Sequence, residues 1–325
     1  MTEQTAPDST SQSEPIDEHS QSTLMASQIL GIQEQTFSHK FWYVLRRWPI
    51  LPMLVLFVMV IAAVFAPLLS PTGPRDINLR GRAAPPVWQS DWYEANPKNE
   101  QTYLLGADHV GRDVLTRMLY GARISLMVAV ISLSVGVVIG SAVGLVAGYY
   151  GGWIDEFAMR TVDVWNALPF LLIAILAAVT FGQSVSIVMI LLALVAWAGG
   201  VRNVRAEVLT LKTRDYISLA RIAGASDFRI IMRHILPGVV NTIVVLATLR
   251  VGGLILAEAS LSFLGAGIPA ATPTWGNMIS EGREWLSTAW WIAVFPGFAI
   301  LLVVMSVNFF GDWLRDRWDP KLRQL

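Results

Sequence analysis

Cysteine is absent from all 325 residues. That rules out a disulfide framework, thiolate metal sites and a cysteine nucleophile, and it is silent on compartment. Charge is scarce: 15% of residues are Asp, Glu, Lys or Arg, against roughly 25% in a soluble domain. The 24 basic residues balance the 24 acidic ones, so no net field argues for nucleic acid as a partner. Several motifs are missing as well. Without GxxxxGK[ST] the chain has no loop of its own to cradle ATP phosphates. Without HExxH or GxSxG, intramembrane proteolysis and lipid hydrolysis lack a constellation. What remains is apolar: 54% of residues are hydrophobic and the mean hydropathy is +0.51. These values point to a polytopic membrane protein, and an all-α chain with no covalent chemistry and no cofactor of its own is expected.

A hydrocarbon core about 30 Å thick needs about 20 apolar residues per helix. Six segments meet or approach that length, near Ile50–Leu69, Ile124–Ala147, Val164–Phe181, Val185–Val201, Val239–Leu264 and Trp290–Phe310. Orientation follows from the basic residues beside them. Lys40, Arg46 and Arg47 precede the first span; Arg202, Arg205, Lys212, Arg214, Arg221, Arg229 and Arg233 follow the fourth; Arg315, Arg317, Lys321 and Arg323 follow the last. An even count with both termini cytoplasmic satisfies all three groups. The long 70–118 segment carries six basic and six acidic residues, and long loops cross largely regardless of charge.

The expected organisation begins with residues 1–38, a cytoplasmic tail rich in Ser, Thr, Gln, Glu and Asp that is too polar to bury a core and is predicted to be disordered. It is not a cleavable signal peptide, because the basic cluster and apolar run start only after residue 40. Residues 39–70 form the approach to the first span and the span itself. An external loop with an amphipathic surface helix occupies 71–120, and a five-helix core 121–311 contains a cytoplasmic loop at 202–237. A cytoplasmic tail, 312–325, ends the chain. Within the second span, Ser132, Gly136, Gly140, Gly144 and Gly148 recur every fourth residue. That spacing puts them on one helical face, where another backbone can approach closely.

The cytoplasmic loop is where a hydrophobic chain interrupts itself. Glu207 to Ala223 reads as one helix, stopped by Gly224 in a left-handed conformation. Ser226 suits the N-cap of a second helix, with Asp227 beside its positive dipole end. Phe228, Ile231, Met232, Ile235 and Leu236 share one face of that helix, and Arg229 and Arg233 share another. Pro237 is expected to end it and open the fifth span. Three readings fit: an interfacial helix on lipid, a DNA-binding helix-turn-helix, or a docking element for a soluble partner. Tethering at both ends to membrane spans disfavours DNA.

In spacing this loop resembles that of bacterial ABC importer permeases, Glu-Ala-Ala, three residues, Gly, nine residues, Ile-x-Leu-Pro. Here the match runs through Ser218, Ala220, Gly224, Leu236 and Pro237, with Ser218 and Leu219 replacing Glu-Ala and His234 replacing Ile. The form GASDFRIIMRHILP is similar to the oligopeptide/dipeptide (peptide/nickel) family, most like its C subunits. That resemblance implies a coupling loop to an ATPase, made of Ser218, Ala220, Gly224, Ala225, Ser226, Asp227, Phe228, Arg229, Ile231, Met232, Arg233, His234, Leu236 and Pro237.

Two further stretches carry the same resemblance. Residues 105–126, LGADHVGRDVLTRMLYGARISL, look like a motif that implies an external gate or docking helix with Gly111, Arg112, Asp113 and Arg117. Read from the residues alone, Asp113 and Arg117 form a pair one turn apart. Asp108, His109 and Asp113 could hold a metal, but nothing supplies a second cluster, so no metal is expected. Residues 255–279 form the other match. There Glu258 lies inside a span, where a carboxylate is costly and functional by default, with Arg250 two turns earlier. The pair reads as an intramembrane ion pair or as part of the translocation path.

The resemblance implies the type I importer permease fold with six transmembrane helices, in the bacterial inner membrane. It also implies the partners: a second homologous permease forming a heterodimer, two P-loop ATPases holding ATP and Mg, an extracytoplasmic substrate-binding protein, and lipid. The cargo expected is di- or oligopeptides, with nickel complexes, glutathione or oligosaccharides as alternatives within the family. An ion-coupled secondary transporter using Arg250 and Glu258 is the rival mechanism.

Overall fold

The computed structural model describes residues 49–99 and 101–318. The tail 1–38, the basic residues Lys40, Arg46 and Arg47, and Lys321 and Arg323 lie outside them. Among the described residues the chain is helical, with one isolated bridge between Ala107 and Asp113 and no strand.

Helix α1 (Ile50–Val64) is apolar throughout and packs on α2 (Val114–Tyr150) and α10 (Trp291–Trp318). Its 15 residues fall short of a bilayer, and one further turn, Ala66–Leu69, follows it. Helix α2 has the opposite character. At about 1.5 Å per residue its 37 residues extend for about 55 Å. The amphipathic surface helix expected before the second span is therefore not a separate element but the first turns of α2. The helix is not broken at Gly121, because that glycine faces Trp275, whose Cδ1 would lie 3.1 Å from an added Cβ.

The glycine face of α2 is buried within this chain, against α5 (Val185–Lys212). Gly136 meets Ala193 and Ala196, Gly140 meets Trp197 and Gly200, Gly144 meets Val201 and Val204, and Gly148 meets Val208. A Cβ at Gly144 would lie 2.8 Å from the Val201 carbonyl oxygen, so only hydrogen lets the backbones approach this closely. Ser132 joins the seam by donating to the Met189 carbonyl at 3.0 Å.

The third expected span is not one straight helix. It is divided into α3 (Gly152–Ala167) and α4 (Phe170–Phe181), bent by 80° at Leu168–Pro169. Proline lacks the N–H the helix needs and pushes the residue before it out of the α region. Among the described residues, four helical runs are long and apolar enough to cross a bilayer: α2, α5, the continuous run Asp227–Phe263 and α10, or five if α3 and α4 act together.

The 202–237 loop also departs from expectation. The helix expected over Glu207–Ala223 is split at Thr213–Arg214 between α5 and α6 (Asp215–Ile222). Beyond Gly224, α7 (Asp227–Ile230) passes through a π turn, Ile231–Ile235, directly into α8 (Leu236–Phe263). Pro237 therefore does not end a helix. It sits in the first turn of α8, where a missing N–H is tolerated, and the widened π turn bridges into it. A short helix, α9 (Trp275–Gly282), packs against α8 and α10. The main core gathers side chains of α2, α5, α8 and α10, with Leu192, Ile255, Leu261 and Val303 fully buried.

Candidate functional site

The sequence-selected residues fall in three places along the bundle. The first lies at the start of α2. Gly111 has φ +85°, and a Cβ added there would collide with the Asn78 carbonyl oxygen, a position closed to any side chain. This turn brings Asp108 under two guanidinium groups. Arg112 Nε and Arg117 Nη1 each lie 2.6 Å from Asp108 Oδ2, and the Val110 and Arg112 amides donate to Oδ1 at 2.9 Å. Glu281 of α9 closes the network, 2.5 Å from Arg117 Nη1 and 2.7 Å from Arg112 Nη2.

Asp113 is not Arg117's partner. Its carboxylate caps α2 by accepting the Thr116 amide at 2.7 Å. Arg117, 1% exposed, turns to Asp108 and Glu281, because that geometry neutralises a guanidinium that could not otherwise be buried. Burial would raise the Asp108 carboxyl, but Arg117, Arg112 and the two backbone donors outweigh it and hold it below its ordinary value. Asp108, His109 and Glu281 bring ligand atoms within 4.8 Å of one another. Both carboxylates are already committed to guanidinium groups, which leaves a cation repelled rather than held. Sequence reasoning missed Glu281, since no local pattern ties it to Arg117, 164 positions away.

The second place holds Glu258 and Arg250, which are not paired. Glu258, 0% exposed, accepts from Ser125 Oγ at 3.0 Å and Ser262 Oγ at 2.8 Å, joining α2 to the C-terminal part of α8. Arg250 sits midway along α8 with its guanidinium against Gly199 of α5. It lines a cleft of about 560 Å³ shared with Trp165, Asn166, Pro169, Phe170 and Asn203.

The third place is the loop after α5. Gly224 has φ +79°. The Gly224 amide donates to Arg221 and the Ala225 amide to Ala220, each at 3.0 Å, which is the Schellman closure of α6. Ser226 occupies the N-cap position of α7 without a side-chain bond. Asp227 instead accepts the Tyr149 hydroxyl at 2.6 Å, while Lys212 donates to the Tyr149 carbonyl. Ile217, Ile230, Ile231 and Ile235 are buried with Tyr149, Val204 and Val208.

The apolar face expected for the second helix is therefore divided. Ile231 and Ile235 point inward, whereas Phe228 (73% exposed) and Met232 point outward with Leu219 and Ile222 (84% exposed). The π turn has shifted the helical phase between Phe228 and Ile235, which a period of 3.6 did not anticipate. Arg229 and Arg233 are exposed, His234 and Leu236 are half-buried, and Ser218 lies on the open surface of α6 with Ala220 partly covered.

An apolar helical bundle, with four or five runs long enough to cross a membrane and an exposed apolar knob at one end, is the class of architecture that the described residues define. Comparison with known proteins gives the class its family. Residues 136–324 match the model for "binding-protein-dependent transport system inner membrane component", and the chain belongs to that family. It is similar to the glutathione transport system permease protein GsiD of Pectobacterium atrosepticum, 43% identical over 72% of this chain and 77% of that one. It is also similar to the dipeptide transport system permease protein DppC of Haemophilus influenzae, 34% identical over 92% of this chain and 100% of that one. Among solved structures it resembles a chain of the MetNI methionine ABC transporter in inward-facing conformations. There the TM-score is 0.50 at 20% identity, covering 60% of this chain and 93% of that chain; the likeness is one of fold. The chain is an ABC importer permease subunit, a non-catalytic transport component.

Proposed function

We propose that this permease forms half of a peptide translocation pathway in the bacterial inner membrane, for di- or oligopeptides. In this reading it pairs with a second homologous permease, receives cargo from an extracytoplasmic binding protein, and is driven by two ATPase subunits that hold ATP and Mg. Six crossings with both termini cytoplasmic complete the topology, with α1 as the first and the α3–α4 pair as the third. The loop 218–237 docks on the ATPases.

The observation that carries the reading is the exposure of Leu219, Ile222, Phe228 and Met232 on a knob anchored from within by the buried Ile217, Ile230, Ile231 and Ile235. Contiguous exposed apolar side chains mark an interaction site. The knob also joins α8 without a break, so its displacement moves a membrane-crossing helix as one lever.

The test is Gly224→Val. No atom would crowd the new side chain, so the cost is the left-handed backbone, about 1–2 kcal/mol. The variant should insert and assemble, yet lose uptake about tenfold or more, as a comparable free-energy loss implies. Wild-type uptake together with wild-type ATPase stimulation would sink the coupling assignment. Uptake into vesicles that ignores internal ATP and collapses with a protonophore would favour the ion-coupled rival instead.

A further inference from the structure

Arg250 and Glu258 are the only charged residues of α8, and they are treated in opposite ways. Glu258 is buried and held by two serines. Arg250 is exposed on the isolated chain and, among the described residues, has no hydrogen bond or ion pair. It lies about 20 Å from either end of α8 at about 1.5 Å per residue, which is mid-membrane. An arginine there does not face lipid; it faces a partner or a water-filled path.

The surroundings distinguish these cases. No acidic side chain among the described residues lines the cleft, and its other cation, Arg202, is already paired with Asp163. Gly199 is cut away so that the guanidinium lies against its backbone, a place where a Cβ would collide with it. The 560 Å³ cleft in front falls within the size range of small-ligand sites. Trp165 and Phe170 give it apolar walls, and Asn166 and Asn203 give it neutral hydrogen-bonding groups.

The break between α3 and α4 opens on the same cleft, with Pro169 and Phe170 in its lining. Irregular backbone at membrane depth is tolerated where it lines a cavity, and the N-terminal end of α4 adds positive potential. Behind Arg250, a second cavity of about 20 Å³ shares Gly199 and Asn203 with the cleft. Ser141, 8% exposed, lines it with a hydroxyl that has no partner among the described residues. That space suffices for one water, so the polar lining continues behind the guanidinium.

We infer that this cleft is a carboxylate-binding subsite on the translocation path, in which Arg250 receives the C-terminal carboxylate of a transported short peptide while Trp165 and Phe170 contact its side chains. The inference rests on the importer reading and deepens it. A carboxylate side chain of the second permease would offer Arg250 the same chemistry, but it would leave the aromatic walls and open volume without a use.

The experiment uses the complete complex with its binding protein in proteoliposomes, with alanyl-alanine and its C-terminal amide as probes. The wild type should take up the acid in preference to the amide when binding-protein occupancy is matched. Arg250→Gln should lower uptake of the acid by about tenfold, the scale of one hydrogen bond to a charged group. The acid-to-amide ratio should fall towards one. Arg250→Lys should restore part of the ratio.

Wild-type uptake with an unaltered ratio in Arg250→Gln overturns the subsite alone. Loss of the second permease from purified Arg250→Gln complex assigns the guanidinium's carboxylate to that partner and also overturns it. Absence of ATP-driven uptake of both probes by the wild type overturns the importer reading and the subsite with it. Because the chain has no cysteine of its own, Arg250→Cys gives a second measure. It should react with an anionic methanethiosulfonate and be protected by alanyl-alanine during turnover; failure to react places the position against lipid or protein and overturns the proposal.

Discussion

The two ends of the bundle treat their exposed chemistry in opposite ways. At the start of α2, two arginines and two carboxylates neutralise one another in a closed network, with Arg117 and Asp108 both essentially buried. At the end of α5, the chain leaves Leu219, Ile222 and Phe228 in the open, and midway between them Arg250 has no counter-charge among the described residues. The contrast separates what holds this subunit together from what is left for other molecules. A network whose every charge is matched stabilises the fold and invites nothing. Unmatched apolar groups on a packed knob, or an unmatched cation beside a cleft, are complete only when something binds.

Breaking the closed end should have the largest effect on stability. Arg117→Ala strands Asp108 and Glu281 beneath a buried cavity, and removing one member of a buried ion pair costs about 3–5 kcal/mol. The detergent-solubilised subunit should show a strongly lowered unfolding midpoint. An unchanged midpoint would mean that the network contributes nothing, and the contrast would collapse.

At the open end the effect should appear in transport before it appears in stability. Tyr149→Phe removes the bond from the end of α2 to Asp227 at the head of α7, worth about 1.5–3 kcal/mol when one partner is charged. Basal ATPase activity should survive while uptake per ATP falls several-fold. Equal loss of both would make Tyr149 merely structural.

The smallest effect is in pH dependence. Asp108 has a folded pKa held below its unfolded value. Its contribution is therefore fully present above the unfolded pKa of about 3.9, and it is lost as pH falls through the lower folded value. Wild-type stability should show no loss from Asp108 between pH 7 and about 5. Below about pH 4 the wild type should lose stability more steeply than Asp108→Asn. Matching acid profiles in the two proteins would show that Asp108 does not bear the network's charge.

Much of this arrangement was legible in the residues. The glycine period in the second span reported a close helix contact because a missing side chain is a local fact, although the partner helix, α5, was not named by it. Gly224 was readable as a helix stop because only glycine takes a left-handed backbone without cost. The pairings were not legible. Asp113 and Arg117, one turn apart, looked like an ion pair, yet each found a better partner in three dimensions. Arg250 and Glu258, two turns apart, also turned to different neighbours. The π turn at 231–235 escaped notice because it changes helical phase without any residue that marks it.

Apolar length and the scarcity of charge pointed by themselves to a chain that crosses a membrane. Those properties are sums over residues, and sums need no coordinates. Only the tertiary structure decided that Glu281 closes the network at the start of α2, that Pro169 opens a cleft where a straight span was expected, and that the 218–237 knob is continuous with α8. Each depends on which groups meet across more than a hundred residues of chain, or on how the backbone accommodates a missing N–H, and neither is encoded in local spacing.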